Sequence, residues 1–370
     1  MINIKQYPLT TLKIALMCQG VYVKKEAKNY MRQNSFGQFN FDDYSTTGGL
    51  ILSINKTTYV NVPVRFFGTP FVIDNEKGNF ILYDTDNLYP KVSIEILPTP
   101  RYALENTLLD KCVPVRDLVM THADRARLSP IHGCNFACHF CSLSKNDYKK
   151  NDIALLERTL EIALVDPYIR PKHVLISGGT PRATEEDFRY IDEVYSYFPK
   201  KYPNLEFDVM LSPRSIAPKV HSRVGYKEFL YFLKNSGVTS LAVNMELFGY
   251  EISKKYMEDK HEIGRPNYLL FIEEAVKIFG DEKVRSCLII GLEEQSDTLK
   301  AIDTLCSIGC MPVLSPFIPD ARSFLSRHKP PTADELFDTL IKSQAIADSY
   351  NIRLGPVCRS CSHNCILIED

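Results

Sequence analysis

The pattern of apolar and polar positions changes near residue 120. Before that point, short runs rich in Ile, Val, Phe and Tyr alternate with turn residues, as is typical of strands in a small antiparallel sheet. The predicted strands are 51–55, 59–66, 71–73, 80–83 and 92–97. We therefore predict a small β-rich domain over residues 1–120, in which no chemical motif is visible.

From about residue 125 onward, strand patterns alternate with helix patterns, which is typical of a parallel sheet with crossover helices. The predicted strands are 125–131, 173–177, 207–211, 241–245, 285–290 and 312–316. The predicted helices are 152–164, 185–197, 227–234, 268–279, 296–308 and 332–350. Six such units are too few for a closed eight-fold barrel. The sequence thus predicts an α/β fold with a partial (β/α)6 barrel over residues 121–350 and a cysteine-rich extension over 351–370.

Composition and charge exclude some classes of function. The chain has 370 residues, 45% of them hydrophobic, and a formal net charge of −1. A near-neutral chain lacks the basic surface that binds a phosphate backbone, so no nucleic acid partner is expected. No stretch approaches the roughly 18 apolar residues of a membrane-spanning helix, and the first residues lack the pattern of a signal peptide. We expect a soluble cytoplasmic protein without a membrane partner.

The cysteines add candidate chemistry. There are eleven, and clustered thiols in a reducing compartment indicate metal binding rather than disulfides. Six of them form two tight groups, Cys134/Cys138/Cys141 and Cys358/Cys361/Cys365. We interpret the others as small buried hydrophobic residues, since most are isolated in apolar surroundings. They are Cys18, Cys112, Cys287, Cys306 and Cys310.

The first cysteine group follows the first strand of the alternating region with the spacing Cys-x3-Cys-x2-Cys. Iron–sulfur clusters select thiolate ligands, and a [4Fe–4S] cluster held by only three cysteines keeps one iron open. An open coordination position is typical of a catalytic metal site. The alternative is a zinc knuckle, with His132 or His139 as the fourth ligand.

This spacing, with Phe140 just before the last cysteine, resembles the signature of the radical SAM superfamily. The resemblance implies that the open iron binds the amino and carboxylate groups of S-adenosylmethionine and that Phe140 lies against its adenine. The Gly-Gly-Thr-Pro turn after the second strand resembles the family motif whose backbone binds the methionyl amino group, although Thr180 stands where glutamate is commoner.

Three later segments extend the resemblance in the family's order. Residues 287–294 resemble the GxIxGxxE motif beside adenine, with Cys287 in place of the first glycine. Polar residues end the fourth strand, where members of the family contact the ribose. Arg214 follows the third strand, and its planar guanidinium group suits a bidentate contact with the methionyl carboxylate. These polar residues are equally well interpreted as ordinary strand-end residues. The positions assigned to S-adenosylmethionine are Phe140, Gly178, Gly179, Thr180, Pro181, Arg214, Asn244, Glu246, Ile289 and Gly291.

The second cysteine group follows a Gly-Pro turn near the end of the chain. We favour an auxiliary iron–sulfur cluster, which many radical SAM enzymes carry in C-terminal extensions. Its fourth ligand would be Cys306 or Cys310, or its fourth iron would be open. The main alternative is a structural zinc ion with His363 completing a Cys₃His set. The predicted metal ligands of this group are Cys358, Cys361 and Cys365.

By this resemblance, the protein receives one electron from flavodoxin or ferredoxin, cleaves S-adenosylmethionine and forms a 5′-deoxyadenosyl radical. The radical then takes hydrogen from a small or medium organic substrate. The strand ends 244–246 and 313–316 faintly resemble the biotin synthase and hydrogenase maturase branch. Two other hypotheses are open: a peptide-modifying maturase, and a zinc-binding interaction protein in which both cysteine groups are structural.

Overall fold

The computed structural model describes residues 4–34, 49–109, 112–213 and 222–370, and all structural statements concern these residues. The strands are β1 (Val21–Val23), β2 (Leu50–Ile54), β3 (Thr58–Val62), β4 (Val64–Arg65), β5 (Phe71–Glu76), β6 (Asn79–Asp84), β7 (Val92–Ile96), β8 (Leu108–Leu109), β9 (Val113–Pro114), β10 (Val119–His122), β11 (Arg125–Leu128), β12 (Ile131–His132), β13 (Lys149–Lys150), β14 (His173–Ile176), β15 (Glu206–Met210), β16 (Ser240–Ala242), β17 (Val284–Ile290) and β18 (Met311–Pro316). The helices are α1 (Pro8–Gln19), α2 (Lys25–Gln33), α3 (Arg101–Leu104), α4 (Val115–Leu118), α5 (Ile153–Leu164), α6 (Glu185–Lys201), α7 (Arg223–Asn235), α8 (Tyr250–Tyr256), α9 (Glu258–Ile263), α10 (Arg265–Phe279), α11 (Gln295–Ser307) and α12 (Ala333–Ser349). Short 3₁₀ helices lie at Leu143–Lys145 and Ser360–Asn364.

Strands β1 to β7 form one sheet in the N-terminal part of the chain, in the order β3-β2-β7-β6-β5-β1-β4. Strands β2, β3, β5, β6 and β7 pair antiparallel, as the short apolar runs predict. The sheet is nevertheless mixed, because β1 pairs parallel with both β4 and β5. Strand β1 is too short to show an alternating pattern, so the sequence did not predict it.

A second sheet has the order β10-β11-β14-β15-β16-β17-β18. In the described residues, β11 and β14 to β18 are six parallel neighbours, and β10 adds an antiparallel edge. All the predicted barrel strands are present within a few residues of their predicted bounds, and so are the predicted crossover helices. The sheet curls into the predicted partial barrel. None of the described helices is both long and apolar enough to cross a membrane.

Local sequence signals start the crossover helices where the pattern predicts them. Asp152 caps α5 by accepting a hydrogen bond from the N–H of Leu155. Thr184 caps α6 in the same way, and Thr332 and Glu335 form a reciprocal capping box at α12. Each cap satisfies backbone donors that would otherwise be unpaired at a helix start. These caps fix the lengths of the loops that carry the polar residues above the sheet.

The C-terminal extension joins the barrel to helix α1. Backbone hydrogen bonds from Gly355 and Ile366 attach it to the outer edge of β18. Lys13 of α1 forms an ion pair with Glu369, and both side chains are fully buried. The carboxylate of Asp370 accepts hydrogen bonds from the first turn of α1. One cluster of buried apolar side chains extends from the N-terminal sheet into the barrel, and the predicted division into domains stays a prediction.

Candidate functional site

The cysteines of the first group lie on one loop that follows β12, beyond the carboxyl end of β11. The loop begins at Gly133, whose φ of +71° is a left-handed conformation that favours glycine. The sulfur of Cys134 accepts hydrogen bonds from the N–H groups of Phe136 and Thr180, at 3.3 and 3.2 Å. Two donors directed at one sulfur stabilise the charge of a thiolate or of a metal-bound sulfur.

The turn after β14 packs directly against the cysteine loop. A Cβ atom on Gly179 would lie 1.7 Å from the carbonyl oxygen of Gly133 and 2.7 Å from the Cα of Cys134. Any side chain at this position would displace the loop, because backbone atoms cannot give way as a flexible side chain does. Glycine therefore sets the close approach of the two segments.

Helices α8 and α9 hold the outer side of the loop. The N–H of Ala137 donates to the carboxylate of Asp259 in α9 at 2.8 Å. The N–H of His139 donates to the carbonyl oxygen of Tyr256 at the end of α8, also at 2.8 Å. The ring of His139 packs against aromatic side chains, with its centroid 5.2 Å from that of Phe324. Its imidazole therefore packs among aromatic rings on this side of the loop.

The thiols of the loop open into a cavity of about 230 Å³. The cavity lies beyond the carboxyl ends of the parallel strands, where ligands bind in α/β barrels. Three separate chain segments contribute predicted site residues to its wall. These residues are Cys134, Phe140, Cys138, Cys141, Gly178, Gly179, Thr180, Pro181, Asn244 and Glu246.

A larger cavity of about 540 Å³ extends from this space into the barrel. Phe140, Asn244 and Glu246 line both cavities, so the two spaces adjoin. Ile289 of β17 lines the larger one, as expected for a residue beside a bound ligand. A molecule in the larger cavity can therefore lie next to one held at the cysteine loop.

Two of the predicted residues are not seen in these cavities. Gly291 lies past the end of β17, where its φ is +99° and a Cβ would meet the ring of Pro331 at 2.7 Å. Gly291 does not line either cavity. Glycine is required at this position because of the positive φ and the close contact with Pro331. Arg214 lies outside the described residues, so its predicted contact stays a prediction.

Glu246 has a backbone conformation that is rare for residues with a side chain. Its φ is +65°, and such conformations are often found at functional sites. Backbone hydrogen bonds with Cys287 and Ile289, both 2.9 Å long, fix it beside β17. Its carboxylate lies 2.7 Å from the ammonium of Lys260, which also donates to the carbonyl of Asn244 at 3.1 Å.

The Glu246–Lys260 pair is a charged group in a largely buried place. Side-chain exposure is 17% for Glu246 and 12% for Lys260. Burial alone would lower the pKa of Lys260, but the neighbouring carboxylate outweighs this effect and the pKa is raised. The ammonium therefore keeps its proton and holds the carboxylate in one position on the cavity wall.

The chemistry of the loop fits a [4Fe–4S] cluster better than a single ion. Burial raises the pKa of the Cys138 and Cys141 thiols, that of Cys141 to about 11, so deprotonation requires a bound cation. A tetrahedral zinc ion needs sulfur atoms about 4 Å apart. Within the described residues, the loop thiols do not belong to any group of three or more ligand atoms that all lie within 4.8 Å of one another. Each cysteine of a cluster binds a different iron, so no such convergence is required.

The second cysteine group lies at the other end of the barrel strands. Cys358 and Cys361 approach Asp124, which precedes β11, and His173, which begins β14. Hydrogen bonding to Cys361 lowers the pKa of the Cys358 thiol to about 7. Burial alone would raise the pKa of Asp124, but hydrogen bonds from Ser360 and Cys358 outweigh it and lower the pKa.

The remaining predicted ligands of this group lie elsewhere. Cys365 is buried and is not part of the group formed by Cys358 and Cys361. His363 uses its Nδ1 atom for a contact of 2.6 Å with the carbonyl oxygen of Ser360 in its own turn. Cys306 lies in α11 and Cys310 just after it, both buried in the core. The structure thus brings together two of the three predicted cysteines and adds two potential ligands, Asp124 and His173, that the sequence did not indicate.

Sequence reasoning missed Lys260, Asp124 and His173. Lys260 lies in α9, a short helix without a motif, and no signal in a single sequence identifies it. Asp124 and His173 stand at the starts of two predicted strands, and the register of β11 with β14 places Arg125 opposite His173. Neighbouring strand starts were therefore the one signal that pointed to their proximity.

Three thiols and a glycine turn thus lie at the carboxyl ends of the strands of a partial barrel. This arrangement is typical of a cofactor-dependent α/β-barrel enzyme. A model of the Radical SAM superfamily matches residues 128–305, which contain the cysteine loop and most of the barrel. Over these residues the chain carries a radical SAM domain. The family uses a [4Fe–4S] cluster and S-adenosylmethionine, so these two predicted cofactors are confirmed, and the predicted second cluster stays a prediction.

Solved structures similar to the chain share little sequence with it. The FeFe-hydrogenase maturase HydG from Carboxydothermus hydrogenoformans is 16% identical, with a TM-score of 0.46 over 62% of this chain and 52% of that chain. A radical SAM methyltransferase from Sphaerobacter thermophilus is 12% identical, with a TM-score of 0.45 over 80% of this chain and 81% of that chain. The chain thus spans about half the length of the hydrogenase maturase. No curated protein matches the sequence. Similarity at this level says nothing about the reaction.

Proposed function

We propose that Cys134, Cys138 and Cys141 hold a [4Fe–4S] cluster and that the protein uses the 5′-deoxyadenosyl radical to take hydrogen from a small or medium organic substrate. One observation supports this proposal. The cysteine loop and the glycine turn line the same cavity, and that cavity adjoins a larger one in the barrel. When bound, the cluster supplies one electron to the sulfonium of S-adenosylmethionine, which separates into methionine and the radical.

The residues around the smaller cavity bind, orient and exclude water. The turn at residues 178–181 offers backbone groups to the methionyl amino group, since no side chain intervenes at its glycines. Glu246 offers a fixed carboxylate oxygen to a ribose hydroxyl. Phe136 and Cys138 belong to a buried apolar cluster on the loop, which keeps water from the reacting atoms. Phe140 lies where the two cavities meet and offers its ring face to adenine.

Charge in the larger cavity supports an anionic substrate, one that bears a carboxylate or a phosphate. Arg125 and Arg127 alternate with Ala126 and Leu128 along β11, and the latter two are fully buried against the helices. Side chains alternate between the faces of a strand, so both arginines face the barrel interior. The charged residues of the lining are Arg116, Asp117, Arg125, Arg127, Glu246 and Arg322. Guanidinium groups outnumber carboxylates and suit bidentate contact with an anion.

The electron donor and the location follow from the same chemistry. Reduction of a [4Fe–4S] cluster at low potential requires a one-electron donor, and flavodoxin or ferredoxin supplies electrons in single steps. A reducing cytoplasm protects both the cluster and the free thiols of the chain. We expect no nucleic acid or membrane partner, as the near-neutral charge of the chain indicates.

The test is 5′-deoxyadenosine formation under anaerobic conditions with S-adenosylmethionine and dithionite. We expect Cys138→Ala to abolish it and to lower the iron content, because two thiols cannot hold the cluster. The matched control is Cys18→Ala: the Cys18 thiol lies 3.9 Å from the carbonyl of Pro331 and lines neither cavity, so its loss should leave the activity unchanged. Undiminished cleavage of S-adenosylmethionine by Cys138→Ala would refute the assignment.

The charge of the substrate has a separate test. Addition of an anionic small-molecule fraction, but not a neutral one, should increase the yield of 5′-deoxyadenosine from the parent protein.

A further inference from the structure

Four potential metal ligands meet at the amino-terminal end of the barrel. The sulfur of Cys358 lies 3.3 Å from Oδ1 of Asp124, and the sulfur of Cys361 lies 3.7 Å from the same oxygen. The sulfur of Cys361 lies 3.3 Å from Nε2 of His173. All four ligand atoms lie within 4.8 Å of one another, which is compatible with one tetrahedral ion.

The fold brings these residues together from three segments. Asp124 lies in the turn between β10 and β11, and His173 is the first residue of β14, which pairs with β11. The C-terminal extension supplies Cys358 and Cys361 from the 3₁₀ helix Ser360–Asn364 and the residues before it. No local motif contains the set, because Asp124 and His173 are joined only by the register of the sheet.

This group is separate from the cysteine loop. His173 begins β14 and Gly178 follows its end, so five residues of extended chain, about 16 Å, lie between the two sites. The radical SAM site lies at the carboxyl ends of the strands, whereas this group lies at their amino ends. The two candidate metal sites therefore lie at opposite ends of the barrel strands.

We propose that Asp124, His173, Cys358 and Cys361 bind one zinc ion that fixes the C-terminal extension to the barrel. Zinc accepts carboxylate oxygen, imidazole nitrogen and thiolate sulfur in a single tetrahedral site. Iron–sulfur clusters are held by thiolates on separate irons, which does not match a mixed set converging on one point. Four protein ligands leave no open position, so the site is structural rather than catalytic.

The surroundings suit a bound cation. Nε2 of His173 lies 3.3 Å from the sulfur of Cys361, so the imidazole is directed into the group. The hydroxyl of Ser360 donates to Asp124 and orients the carboxylate. Two thiolates and one carboxylate would carry one negative charge more than zinc neutralises, and Arg125 and Lys172 lie close enough to act on the group.

Zinc at this place would connect elements that are distant in sequence. The extension already contacts the edge of β18 through Gly355 and the helix α1 through Glu369. A metal bond to Asp124 and His173 adds a third attachment, on the other side of the barrel sheet. Binding of the ion then contributes directly to the free energy of folding.

Metal analysis of the full-length protein, purified without oxygen, tests this site independently of radical chemistry. We expect about one zinc per chain in addition to the iron of one cluster. His173→Gln and Cys361→Ser should each lose the zinc and lower the melting temperature, while iron content and 5′-deoxyadenosine formation persist. The matched control Cys365→Ala removes a nearby buried thiol outside the group and should retain the zinc. If variants at the group fold poorly, Co²⁺ titration of the chelator-treated parent protein should produce the absorption bands of tetrahedral thiolate coordination.

Three results would overturn the proposal. One is a second iron–sulfur cluster, seen as about eight irons per chain without zinc. Another is loss of the metal in Cys365→Ala together with its retention in His173→Gln. That result would indicate that Cys358, Cys361 and Cys365 are the ligands and that His173 is not. The third is a parent protein that binds neither zinc nor Co²⁺. Loss of radical activity alone, with zinc retained, would count against the function proposed for the cysteine loop and not against this site.

Discussion

At the scale of single residues, the radical SAM site depends on backbone positions as much as on its thiols. Gly179 allows the turn after β14 to touch the cysteine loop, and the turn then supplies a backbone donor to the sulfur of Cys134. Glu246 adopts a left-handed conformation that places its carboxylate against Lys260. Both features keep groups in place before any ligand binds, which reduces the ordering cost of binding.

Exchange of Gly179 for alanine should empty the cluster site. The new methyl group would overlap the carbonyl of Gly133, so the cysteine loop must move away from the turn. We expect anaerobically reconstituted Gly179→Ala to contain little iron and to form no 5′-deoxyadenosine. The matched exchange is Gly280→Ala, since Gly280 has nothing within 4 Å of a new Cβ. It should cost about 1 kcal/mol through its positive φ and leave the iron in place. Full iron content in Gly179→Ala would contradict the close approach.

Loss of Lys260 should weaken both stability and cofactor binding. Lys260→Met leaves the Glu246 carboxylate largely buried without its partner, which we expect to cost about 2 kcal/mol of unfolding free energy. Urea denaturation measures that cost, and equilibrium dialysis of labelled S-adenosylmethionine measures affinity. Lys255→Met, an exchange in the adjacent helix α8, is the control and should change neither. Unaltered affinity in Lys260→Met would show that the pair does not position a ligand.

Part of this site could be predicted from residues and part could not. The cysteine loop, the turn at residues 178–181 and the Asn244–Glu246 strand end carry local spacing, and local spacing survives in a single sequence. Lys260 could not be predicted, because only tertiary packing brings its helix α9 to the cavity. Asp124 and His173 become neighbours only through strand register, so the sequence indicated the C-terminal cysteines but not their partners.

At the scale of elements, the strands and helices of the barrel were predictable because each is long enough to show its period. Strands such as β17 and helices such as α12 are bounded by clear turn or capping residues. The short elements were missed: β1 has three residues, and α8 and α9 have seven and six. A few residues cannot show a period, and β1 takes its parallel partners from tertiary packing.

The contact between α1 and the C-terminal extension should be a strong determinant of stability. Lys13→Met leaves Glu369 charged and fully buried, and breaking such a pair costs about 3–5 kcal/mol. Lys13→Met combined with Glu369→Gln should recover part of that loss, because no buried charge remains. The control is Lys342→Met, which breaks the exposed ion pair with Asp338 and should lower the free energy of unfolding by less than about 1 kcal/mol. Equal effects of Lys13→Met and Lys342→Met in urea denaturation would contradict this role of the extension.

At the scale of the whole molecule, the partial barrel separates the two sites at which we propose metal chemistry. The carboxyl ends of its strands meet the cysteine loop and the two adjoining cavities, where we propose radical chemistry on an anionic substrate. The amino ends meet the C-terminal extension and the mixed ligand group. The residues proposed as catalytic thus lie at the first end and the proposed stabilising site at the second, a division that is usual in α/β barrels.

We propose above that the cysteine loop holds a cluster that cleaves S-adenosylmethionine. The most direct test of this proposal is one anaerobic preparation of the parent protein, analysed for iron and sulfide and then assayed for 5′-deoxyadenosine with dithionite and S-adenosylmethionine. We expect about four irons and four sulfides per chain, and 5′-deoxyadenosine that forms only when both reagents are present. Zinc in place of iron, together with no 5′-deoxyadenosine, would contradict the assignment of a [4Fe–4S] cluster to this loop.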